Sequence, residues 1–167
     1  MSTTAPTSTT ISTRHTGLVR LAGLAGIVGG ALLIAAAGTV WIAVSTQLRA
    51  ENITIPEDAI AFQGATVQGP ITAYIQADII QTHTLEMSEG KTYAELDRDD
   101  PMRATVMNAS FLRASLFTSV VSFGVAALAA GIGVLSIFFG AALRGLAPSP
   151  KTVAAATETG PVATFTG

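Results

Sequence analysis

The residue types most able to do chemistry gather in the segment DIIQTHTLE, where Asp78, His83 and Glu86 set an imidazole between two carboxylates. Such a set could ligate iron or zinc. The spacing argues against it. On a helix, His83 and Glu86 lie three residues apart and share a face. Asp78 precedes His83 by five residues, about 140° round the helix, which is poor for shared coordination. Catalytic zinc and iron sites usually draw on two or three histidines. The second histidine, His15, falls in a Ser- and Thr-rich N-terminal stretch. Asp78, His83 and Glu86 are therefore weak candidates for metal ligands, and a polar surface patch is the expectation.

Other chemistries find less support. No serine or threonine has a base beside it in sequence that argues for a nucleophile. The glycines of AGLAGIVGG follow no strand signal, which excludes a phosphate-cradling loop. With no cysteine, the chain can form neither a disulfide nor a thiolate metal site. No catalytic or cofactor-binding residue is expected, and no cofactor.

The composition says what the chain is instead. Of 167 residues, 49% are hydrophobic and only 12% charged, roughly half the charged share of a soluble domain; the mean hydropathy is +0.52. Two runs account for this. Between Arg20 and Arg49 lie 28 residues without a charge, and between Arg113 and Arg144 lie 30. A helix needs about 20 apolar residues to cross a bilayer, so both runs are long enough. The first run also exceeds the roughly 7–15 apolar residues of a cleaved signal, and it is read as a retained helix. The net charge of −2, with no dense basic cluster, excludes a nucleic-acid surface.

These runs divide the chain into a disordered tail over 1–16, a first membrane helix within 17–46, a polar loop domain over 47–110, a second membrane helix within 111–144, and a disordered tail over 145–167. The fold class expected is mainly α, a hairpin of two transmembrane helices carrying a small, mostly helical extracytoplasmic domain. Within the loop, breakers at Gly69-Pro70 and Gly90 bracket a helix over 71–88. Thr92 and Glu95 match a capping box, and Asp100-Pro101 reads as the start of a helix that runs without interruption to Arg144.

The tails carry Arg14, Arg20, Arg144 and Lys151 over short stretches, whereas five basic residues are spread through Arg49–Arg113. Basic density favours the cytoplasm, so both termini are assigned inside and the loop outside. The expected location is the plasma membrane. Neither run contains an ionisable residue, which argues against a transporter or channel acting alone. Small residues at Ala22, Gly26 and Gly30 recur every four positions on the first helix, and Ala127 and Gly131 offer a similar groove on the second. Such faces let membrane helices approach closely. The partner could be the other helix, a second copy or another protein.

The segment GKTYAELDRDDPMRATVMNASFLRASLFTSVVSFGVAAL, 90–128, with the preceding AYIQADIIQTH, resembles a family of small actinobacterial membrane proteins. The resemblance extends over residues 17–144. Members often carry the label "aromatic ring-opening dioxygenase LigA". Ring-opening dioxygenases of that name hold ferrous iron by two histidines and a carboxylate, and this chain has one histidine outside its N-terminal tail. The resemblance covers whole segments and no catalytic motif, so it transfers no site residue. Two functional expectations follow: a non-enzymatic accessory or interaction subunit of an envelope or membrane complex, or, as the family label implies, a subunit of an aromatic ring-opening dioxygenase. In the first, the bilayer and a protein partner or second copy are the binding partners.

Overall fold

The structure is a computed structural model; it describes the backbone of residues 13–146 and the side chains of residues 17–146. The tails assigned to 1–16 and 145–167 lie outside the described residues, except Thr13–Thr16 and Gly145–Leu146, which are helical.

The described chain forms three helices: α1 over Thr13–Ala50, α2 over Pro70–Met87 and α3 over Arg103–Leu146. No strand occurs among the described residues, and one isolated antiparallel bridge joins Thr54 to Thr66. The mainly α fold with two long apolar helices is as the sequence indicated. α1 has 38 residues and α3 has 44, about 57 Å and 66 Å at 1.5 Å per residue. Arg49 and Arg144 sit in their last turns, where a cation opposes the partial negative charge of the helix end.

Two of the start signals, at Gly69-Pro70 and Asp100-Pro101, act as their chemistry dictates, with shifts of one or two residues. Gly69 is the extended N-cap of α2 and Pro70 its first residue. The Thr72 hydroxyl accepts from the Gly69 N–H at 3.1 Å, the half of a capping box that a glycine cap permits. At the other end Gly90 adopts φ +83° and donates to the Leu85 carbonyl at 2.7 Å. Asp100 accepts from the Met102 N–H at 2.8 Å; this turn holds Pro101 outside the helix, and α3 begins at Arg103 rather than at Pro101. Thr92 and Glu95 close a turn, not a helix. The Glu95 carboxylate accepts from both the N–H and the hydroxyl of Thr92 at 2.8 Å, so the hydroxyl is spent on the carboxylate and caps no backbone donor.

The chain divides into two compact units, residues up to Leu32 with those from Ile132 onward, and Leu33–Gly131. In the first unit, α1 and α3 meet through glycines. A Cβ at Gly23 would stand 2.7 Å from the Gly140 carbonyl oxygen, and one at Gly26 would stand 3.1 Å from that of Ser136. Gly30 is closer still to the Gly133 carbonyl oxygen, as Gly140 is to that of Gly23. Hydrogen atoms on Cα are all this approach can hold.

In the second unit, α2 and the 51–69 loop share an apolar core with α1 and α3. Ile55, Val67 and Phe123 are essentially inaccessible to solvent. Trp41 meets Phe123 edge-on at 4.7 Å, and Tyr74 meets Phe117 at 5.8 Å, geometries that aromatic quadrupoles favour. The loop closes as a hairpin. Ile55 N–H donates to the Ala65 carbonyl at 3.0 Å, Gly64 N–H to that of Ile55 at 2.9 Å, and Val67 N–H to that of Ile53 at 2.9 Å. Gly64, at φ +73°, makes the reversal that an L side chain would resist.

Candidate functional site

His83 has a carboxylate partner, though neither of those adjacent in sequence. Its Nε2 lies 2.6 Å from Oδ2 of Asp58, on the hairpin loop that packs against α2. Asp78 and Glu86, on α2 itself, make no hydrogen bond to His83. Among the described residues no three histidine or acidic side chains gather where a metal could bind. The hydrogen bond from His83 holds the Asp58 carboxyl below its ordinary range, because it favours the ionised form. Both side chains are largely open to water, at 42% and 60% exposure. An exposed pair of this kind contributes little to global stability; what it does is tether the loop to the helix. A distance of 25 residues separates the partners, and only the hairpin brings them together, so no local spacing could reveal Asp58.

Two recesses lie in the second unit. The larger, about 880 Å³, runs between α1, α2 and α3 and is lined by Leu48, Gln76, Leu116 and Ser119 among others. The side-chain amide oxygen Oε1 of Gln76 is buried there without a hydrogen-bond partner. The smaller, about 280 Å³, lies between α2, the turn at Lys91–Ala94 and α3. Two cations, Lys91 and Arg113, line it, and no carboxylate does. The Arg113 guanidinium sits 5.1 Å from the centre of the Phe117 ring, and its Nε is buried with no hydrogen-bond partner. Arg103, by contrast, is occupied, donating to the Tyr93 and Leu96 carbonyls and lying 4.3 Å over the Tyr93 ring.

No family model, curated protein or solved structure matches the chain.

The helix-packing residues are placed as follows. Gly26 and Gly30 face α3 within this chain, joined by Gly23. Ala22 is exposed, as are Ala127 and Gly131, and a Cβ at Gly131 would meet open space. The α3 side of the in-chain crossing is built from Gly133, Ser136, Ile137, Gly140 and Arg144. The sequence signal for this side is the Gly133/Gly140 spacing of two helical turns, a weaker pattern than small residues every four. The second unit also presents large apolar side chains to solvent, Ile60 at 86% and Phe62 at 51% exposure. Phe62 adopts φ +60°, a left-handed conformation that a bulky side chain rarely takes.

Proposed function

We propose that this chain is a two-span integral plasma-membrane protein, with both termini cytoplasmic and the 47–110 domain outside, acting without chemistry of its own as an interaction subunit of an envelope or membrane complex. The observation that carries the reading is the surface of the two long helices. Their most apolar windows have hydropathies of 2.2 and 2.3, yet only 11% and 17% of those windows are buried within the protein. A core helix of a soluble protein is mostly buried. A soluble monomer rarely leaves more than a few hundred Å² of contiguous apolar surface in water, and lipid is the solvent that these helices suit.

The interaction role rests on Ile60 and Phe62. The hairpin buries Ile55, Ala59 and Val67 while holding those two side chains out, one of them in a strained backbone conformation. Strain retained at an exposed apolar residue fits a contact surface better than a packing residue. The resemblance to actinobacterial membrane proteins agrees with this setting. The ring-opening reading gains nothing from a surface tether of one histidine and one aspartate.

The test is affinity purification of the tagged full chain from mild detergent. A protein co-purifying in stoichiometric amount with the wild type, and lost from the Ile60→Ser, Phe62→Asn variant, is the expected result. Recovery of the same set of proteins with both chains would refute the role given to this loop.

A further inference from the structure

We propose that the recess between α2 and α3 binds the phosphate group of an anionic phospholipid, held by Arg113 and assisted by Lys91; the lipid source rests on the membrane reading above. The argument begins with an uncompensated charge. Arg113 carries a permanent cation, its Nε–H is buried without an acceptor, and no carboxylate lies within ion-pair distance of it among the described residues. A desolvated guanidinium N–H without an acceptor is costly. The Phe117 ring face at 5.1 Å offsets part of the charge but accepts no hydrogen bond in the guanidinium plane.

The recess in front of Arg113 has the right chemistry for an anion. It holds about 280 Å³ and is lined by a second cation, Lys91, the side chains of Gln81 and Tyr93, and no acid. Glu95 stands at its edge, bound to Thr92 and close enough to Lys91 for that charge to help lower its pKa. Lys91 is thus partly neutralised, and Arg113 is the cation left to bind. The Thr84 and Ser110 hydroxyls donate to the carbonyls of their own helices, so they are already engaged. A guanidinium offers parallel N–H donors that match two oxygens of one phosphate.

Position selects the source. Arg113 immediately precedes the 30-residue uncharged run of α3, which in the membrane reading sets it at the level of the lipid phosphates, where basic pockets bind anionic headgroups. The acyl chains would then lie along the exposed apolar residues that follow, Val121, Val125 and Leu128.

The test uses the detergent-purified full chain. Native mass spectrometry compares retention of phosphatidylglycerol with that of a glucosyl-diacylglycerol of the same chains, and a thermal-shift series uses inorganic phosphate. The wild type should retain phosphatidylglycerol preferentially. Arg113→Met keeps the stem against Phe117 and should lose roughly tenfold in retention; Lys91→Ala should lose less. The lipid-free Arg113→Met protein should also melt at a higher temperature than wild type, because an uncompensated cation is gone, whereas a merely structural arginine would give a lower one. Equal retention of both lipids, or undiminished retention by Arg113→Met, would overturn the site. Stabilisation by inorganic phosphate equal to that by phosphatidylglycerol would overturn the lipid source. Release of the chain from membranes by alkaline wash would sink the membrane reading separately, while the phosphate arm still reads the pocket.

Discussion

At the scale of single residues, His83 shows how far sequence proximity can mislead. Its partner, Asp58, is carried to it by a hairpin that turns at Gly64. The tether has a definite pH dependence. The carboxyl of Asp58 is held below its ordinary value, about 4, chiefly by the His83 hydrogen bond. A depressed carboxyl contributes stability that is present above the ordinary value and lost as pH falls through the folded one. Hydrogen exchange at the Ile55, Gly64 and Val67 amides, which close the hairpin, reads the tether directly. Asp58→Asn should speed exchange there relative to wild type at pH 6, and the ratio should approach one well below pH 4. An unchanged ratio across that range would mean that the loop is held by its apolar core alone.

At the scale of elements, the crossing of α1 and α3 in the first unit turns on single hydrogen atoms. A Cβ at Gly30 has no room beside Gly133 and Ile137. Gly30→Ile should therefore destabilise the crossing by about 1–3 kcal/mol, the usual cost of overpacking, measured by thermal unfolding in detergent. Leu21 and Leu32 are 63% and 66% exposed, so Leu21→Ile with Leu32→Ile should leave the midpoint in place. Equal midpoints for the two variants would contradict the crossing. Much of this level was legible. The long helices announce themselves by uncharged length, and the ends of α2 by Pro70 and Gly90, because those signals are local. On α1, Gly23, Gly26 and Gly30 approach α3 within this chain, and Ala22 is exposed. On α3 the in-chain crossing uses Gly133 and Gly140; every turn of that helix offers a small residue, and only the partner's position chooses among them. The hairpin escaped for the opposite reason, its stabilising contacts being distant in sequence.

At the scale of the whole molecule, the proposed topology places the acidic loop outside the membrane and both ends inside. It follows from a balance of forces: apolar helix surfaces that water disfavours, and basic residues denser in the two terminal segments than in the loop between the helices. Ten of the eleven acidic residues lie between Glu51 and Asp100, yet acids contribute little to orientation, so the basic residues decide it. The absence of cysteine makes the decisive measurement clean. Ser88 is buried, at 4% exposure, but Asp99 is exposed and serves as the outer probe. In intact cells, a membrane-impermeant maleimide should label Asp99→Cys at once and Ser2→Cys only after permeabilisation. Labelling of Ser2→Cys with protection of Asp99→Cys would reverse the orientation, and labelling of both without permeabilisation would contradict two spans.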